Sequence, residues 1–203
     1  MKKSLVLFIS FLVWTTLISF AQTQKSRPFK AGVGKINITP AQDALPKTGY
    51  PRGIRDNIYV RAIVFDNGIT SAALVSVDID ETGRDATEKW IPAIEKATGI
   101  PARNIVIAAS HTHSSIQLPR GNDPNVDPNR AAFAANLGKS IVDVVTQAQE
   151  KLQPARIGYK TGTAYLNVNR NVIDPVTRLW SQSPNYDGPS DKTVAVVKLE
   201  TLT

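Results

Sequence analysis

The chain of 203 residues has no cysteine, one methionine and only two histidines. Without cysteine there can be no disulfide, no thiolate metal ligand and no lipid-modified cysteine after a leader peptide, so an exported form must rely on core packing. Any metal must be held by imidazole, carboxylate or phenol, or by groups outside this chain. No apolar run after about residue 20 is long enough to cross a membrane. Lysine and arginine exceed aspartate and glutamate by 24 to 17, but they are scattered, which argues against a nucleic-acid partner and allows transient contact with an anionic membrane surface.

The first residues carry a recognisable signal. Lys2 and Lys3 precede an apolar stretch from Leu5 to about Phe20, and Ser19-Phe20-Ala21 places small residues at the −3 and −1 positions of a cleavage site. Residues 1–21 are expected to be a signal peptide directing export to a periplasm or the medium. An uncleaved anchor is the competing reading, opposed by the shortness of the stretch and its interruption by Ser10, Thr15, Thr16 and Ser19. Residues 22–30 form a polar lead-in, and the remainder is long enough for one domain with a real core.

Both histidines stand in His111-Thr112-His113, directly after the apolar run Ile105 to Ala109. Residues two apart on a strand share a face, so both imidazoles are expected at one spot where the strand ends. Such a pair suits a metal or proton-transfer site, although a hydrogen-bonded rim feature without a ligand has the same pattern. Two histidines do not complete the usual three-ligand catalytic zinc set, so further donors are required.

Periodicity supplies the surrounding elements. A glycine-bearing strand is expected at Ala31 to Ile38 and a long, proline-rich loop up to Arg55. Two strands, Ile58–Phe65 and Thr70–Val77, flank an Asn67-Gly68 turn. Thr82 and Asp85 have the spacing of a capping box for a helix with Trp90, Ile91, Ile94 and Ala97 on one stripe, closed by Gly99. Strand, helix and strand of these lengths imply a crossover and a parallel pair, which sets Asp78 and His111 at the same carboxyl edge, where open α/β sheets bind ligands. Asp127-Pro128 caps a second helix with the stripe Phe133, Leu137, Ile141, Val144, Val145, Ala148 and Leu152. A strand at Ala155–Thr161, an irregular stretch and loop containing Pro175, Pro184 and Pro189, and a last strand at Thr193–Leu199 complete the chain. The expected class is α/β: a mixed sheet with parallel crossover units, flanking helices and a metal site at the carboxyl edge.

Several segments, in order, resemble the neutral/alkaline, non-lysosomal ceramidase family: Ala31-Gly32-Val33-Gly34 with Ile38-Thr39-Pro40, Thr48-Gly49-Tyr50, Val60-Arg61-Ala62, Ser76-Val77-Asp78, Ser110 to Ser114, Asn167 to Arg170, and Asp191-Lys192. The resemblance implies hydrolysis of the amide bond of ceramide, giving a fatty acid and a sphingoid base, around a zinc ion. It implies His111 as a zinc ligand, His113 as a substrate-contacting or proton-transfer residue, Gly49 as a backbone contact to substrate, and Arg170 as a group that steadies oxygen near the site. Read without the family, Gly49 serves a turn and Arg170 a surface ion pair. Asp78 is a further candidate, as a strand-end carboxylate that orients a histidine or holds the metal; its bland counterpart is a strand-end cap.

Two features depart from the family. The family follows its His-Thr-His-Ser with a glycine- and proline-bearing turn, whereas Ser115-Ile116-Gln117-Leu118 stands here. The family also draws a second zinc-binding histidine, further ligands and a reacting serine from a more C-terminal region, and no histidine follows His113. The expectation is therefore the N-terminal portion of a ceramidase-like catalytic domain at residues 31–203, with an incomplete site. The alternatives are a non-catalytic or partner-completed lipid-binding module and, more remotely, a phosphoesterase in which Asp78, Asp80 and the histidine pair hold two metals.

Overall fold

The computed structural model describes residues 28–47, 51–119, 121 and 124–202. The signal segment 1–21, lead-in residues 22–27 and the Thr48-Gly49-Tyr50 motif lie outside the described residues. Among the described residues are eight strands and two α-helices: β1 (Lys30–Asn37), β2 (Tyr59–Asp66), β3 (Ser71–Val77), α1 (Arg84–Thr98), β4 (Ile105–Ala109), α2 (Pro128–Glu150), β5 (Gln153–Thr163), β6 (Asn169–Ile173), β7 (Trp180–Asn185) and β8 (Thr193–Thr201). Six strands form one sheet in the order β4-β3-β2-β1-β5-β8, and β6 pairs with β7. β3 and β4 run parallel through the α1 crossover, while the other neighbours are antiparallel. The fold is thus the mixed α/β class expected, with a single parallel pair.

The hairpin β2–β3 turns where the sequence says it must. Gly68 has φ 76°, and the Asn67 side-chain oxygen accepts from the amides of Ile69 and Thr70. α1 closes at Gly99, whose left-handed φ of 71° lets its amide reach the Glu95 carbonyl. Its start differs from expectation: the cap position is Gly83, without a side-chain cap, so Thr82 and Asp85 form no capping box. α2 begins as read, with the Asp127 carboxylate accepting from the amides of Asn129 and Arg130.

Both helices cover one face of the sheet. Val60, Val64, Val75, Val77, Ile94, Leu137, Ile141, Val144 and Val145 form its sealed core, each burial contributing roughly 1.5–3 kcal/mol. β1 lies very close to α2, because a Cβ on Gly34 would sit 2.4 Å from the Val144 carbonyl oxygen and one on Gly32 would sit 2.0 Å from that of Ala148. Gly138 similarly admits Trp90 between the helices. The opposite face carries the cross-strand row Val33, Ile63, Leu74 and Val106, of which Val33, Leu74 and Val106 are exposed.

The stretch expected to be irregular between Asn167 and Pro189 is instead the β6–β7 hairpin, with Pro184 inside β7. A two-stranded ribbon tolerates proline because one edge of each strand is unpaired. Among the described residues no helix is long and apolar enough to cross a membrane.

Candidate metal centre

The parallel register builds the site. The last β3–β4 pair is Val77 with Ala109; three residues beyond the two strand ends stand Asp80 and Thr112, the latter flanked by the two histidines. Asp80 is held there by Ile79, which is wholly buried, and by the Ser110 amide donating to the Val77 carbonyl at 2.8 Å. His111 adopts a left-handed φ of 60°, a conformation that is costly for a non-glycine residue and is concentrated at functional sites. That kink, rather than plain strand alternation, directs the imidazoles to one place.

One ligand atom each from Asp80, His111 and His113 lies within 4.8 Å of the others. Asp80 Oδ1 is 3.4 Å from His111 Nδ1 and 3.5 Å from His113 Nε2, and the two rings meet edge to face with centroids 5.0 Å apart. His111 Nδ1 lies 2.7 Å from the Asp80 carbonyl oxygen. A carbonyl only accepts, so Nδ1 donates in this contact, and in the neutral imidazole that does so Nε2 keeps the lone pair. The Asp80 carboxylate is 17% exposed, and among the described residues no lysine or arginine pairs with it.

Nitrogen and oxygen donors around one mostly buried carboxylate fit a divalent first-row cation, zinc included. The imidazoles are 72% and 77% exposed, so the centre is open to further donors or substrate.

Asp78 is placed elsewhere. Its Oδ2 accepts from Arg61 at 2.8 Å and from the Tyr59 amide at 2.9 Å, while Arg61 and Lys35 both lie over the Tyr59 ring. Asp78 therefore ties β2 to β3, and the carboxylate beside the imidazoles is Asp80. The Asp-Ile-Asp repeat after β3 signalled a carboxylate at this edge, but only the kinked His111 selects which one. We expect Asp78→Asn to lower the melting temperature while leaving zinc affinity within twofold, measured by calorimetric titration. A tenfold loss of affinity would tie Asp78 to the metal after all.

Arg170 is exposed on β6 and is not part of the Asp80–His111–His113 cluster. Gly49 lies outside the described residues.

A cleft of about 540 Å³ opens beside His113, between the loop after the histidines and the proline-rich loop, with Leu45, Ile58 and Ile116 among its lining. No periodic pattern in the sequence marks it, because both walls are loops. Its base is clamped by the Ile58 amide on Thr39 Oγ1 and the Ile38 amide on the Ile58 carbonyl. Asp127 joins the same support: its carboxylate accepts from the Lys47 amide at 2.9 Å, and Asn129 donates to the Leu45 carbonyl.

The Lys47 amide, then those of Asn129 and Arg130, hold Asp127 below the usual carboxylate range. A depressed folded-state value means that this support is present above the unfolded pKa and is lost as pH falls through the folded one. Amide protection of Lys47, followed by hydrogen exchange, is expected to weaken below about pH 4, and Asp127→Ala should show weak protection at every pH.

Together, fold and site define a mixed α/β scaffold with a carboxylate and two imidazoles at its carboxyl edge. No family model and no curated protein matches the sequence. Among solved structures the chain is similar to neutral ceramidase from Pseudomonas aeruginosa, with TM-score 0.62 and 21% identity over 88% of this chain and 30% of that one. It is also similar to a ceramidase complexed with C2, with TM-score 0.61 and 22% identity over 86% and 29%. The chain thus has a ceramidase-like fold, spanning about 30% of the length of those chains.

Proposed function

We propose that residues 31–203 are the N-terminal portion of a zinc-dependent hydrolase of the N-acyl amide bond in ceramide-like lipids. The observation that carries this reading is the convergence of Asp80, His111 and His113 on a ceramidase-like fold. Zinc, when bound, supplies Lewis acidity toward an amide carbonyl. His111 holds the metal through Nε2, its ring oriented by the Asp80 carbonyl. His113, beside the cleft, contacts substrate and moves a proton. Gly49 offers its backbone to substrate, and Arg170 steadies developing negative charge once brought to the site.

The remaining donors and reacting groups come from further polypeptide, in the same chain or another. Exposed imidazoles and the uncovered Val33–Ile63–Leu74–Val106 row favour such completion. Without it, the chain is an exported module that binds lipid on the same scaffold. Residues 1–21 direct export to a periplasm or the medium, where brief contact with a membrane surface delivers the lipid.

The test is turnover of a fluorescent ceramide by the completed protein, with zinc present and after chelation. Turnover that vanishes on chelation and returns with zinc supports the hydrolase. Turnover indifferent to chelation rejects the metal's role, and lipid binding without any turnover favours the binding module.

A further inference from the structure

Ser115 and Ile116 both line the cleft beside His113. Ile116 is 1% exposed and packs into the main core, so it is a fixed wall. Ser115 is 4% exposed, and its Oγ, closed off from solvent, has no hydrogen-bond partner among the described residues. A buried hydroxyl left unpaired is unfavourable, and such groups in folded proteins call for an explanation. Here the orphan hydroxyl belongs to a wall of a cleft whose size suits a small ligand and whose lining includes Leu45, Ile58 and Ile116.

We propose that Ser115 and Ile116 are specificity-determining residues of this cleft: Ile116, with Leu45 and Ile58, limits the length of an unbranched acyl chain, and the Ser115 hydroxyl donates to an oxygen at that chain's carbonyl end. The assignment deepens the hydrolase reading and rests on it for the identity of the ligand as an acyl group. The chain's carbonyl end then lies near His113, and its methyl end runs along the apolar wall. The Ser115 side chain would have to change staggered well, a rotation of about 120°, to turn its hydroxyl toward the ligand.

Octanoate and decanoate, titrated calorimetrically into the purified chain in metal-free, detergent-free buffer, test the assignment. The unaltered chain is expected to bind octanoate. Ser115→Ala should weaken it about tenfold, as loss of one hydrogen bond to a charged group does. Ile116→Ala should move the decanoate-to-octanoate preference about tenfold toward the longer chain, the effect of sheltering two more methylenes. Ile116→Val, which removes one methyl and keeps the core filled, should move it in the same direction by less, and guards against a misfolded alanine variant. Unchanged affinity in Ser115→Ala together with unchanged chain-length preference in both Ile116 variants overturns the proposal. So does absence of octanoate binding while the same chain still takes zinc, which leaves the metal centre standing. Octanoate binding retained in His111→Asn, where zinc is lost, supports the cleft independently of the metal.

Discussion

Replacement of His111 by asparagine is expected to lower the zinc affinity of the chain by on the order of 100-fold or more, since even groups behind a metal ligand are worth 10–100-fold. Asparagine is the informative choice because it tolerates the left-handed backbone that His111 adopts at φ 60°. The variant therefore removes the imidazole without adding strain, whereas alanine would change both. In the completed protein the same variant should abolish amide hydrolysis. His113→Asn separates the two roles of the pair: zinc retained with turnover reduced roughly 10²–10⁴-fold marks a proton-transfer group. Zinc lost to the same degree as in His111→Asn would make His113 a ligand. Calorimetric titration with zinc gives the affinities, and retention of full affinity in His111→Asn would remove the basis of the metal centre.

Gly34→Val should cause the largest loss of stability of any single change considered. The added Cβ would meet the Val144 carbonyl oxygen at 2.4 Å and Val144 Cγ2 at 3.1 Å, and the carbonyl, as main chain, cannot step aside. Backbone on both sides means that α2 as a whole must retreat from β1, opening the contact that buries Ile141, Val144 and Val145. Overpacking ordinarily costs about 1–3 kcal/mol, and a clash with main chain belongs at or above the upper end. For a domain of this size, about 3 kcal/mol corresponds to a fall in melting temperature of roughly 6–12 °C. Gly32→Ala, aimed at the Ala148 carbonyl oxygen from 2.0 Å, should behave alike. A melting temperature within 2 °C of the parent for both, by thermal denaturation followed by circular dichroism, would show that this approach is not tight. The Ala31-Gly32-Val33-Gly34 segment thus has a packing explanation that requires no ligand.

Elements that bury one apolar face were legible in the sequence, because burial imposes its period on the residues. β2 and β3 alternate about an Asn-Gly turn, β4 is a short apolar run, and α2 repeats apolar residues from Phe133 to Ala148 between an aspartate cap and Lys151. β5 and β8 are also mostly exposed, yet their β-branched and aromatic residues mark them as strands; on β6–β7 that mark is missing too. The β6–β7 ribbon is mostly exposed and holds together by cross-strand pairing, so its asparagines and prolines read as loop. α1 starts one residue later than the capping pattern of Thr82 and Asp85 implies, because Gly83 takes the cap position.

For the site, the sequence alone determined that the two imidazoles and the carboxylates after β3 gather at one edge, since a strand–helix–strand crossover leaves both strand ends on the same side. Only the tertiary structure decided which carboxylate serves. The parallel register ends level at Val77 and Ala109, so the segments carrying Asp80 and the histidines leave the sheet side by side; the positive φ of His111 turns the rings toward Asp80, and Arg61 on the neighbouring strand takes Asp78 into an ion pair. Choices among near-identical residues two positions apart depend on register and on one backbone angle, and those are fixed by contacts between segments far apart in the chain.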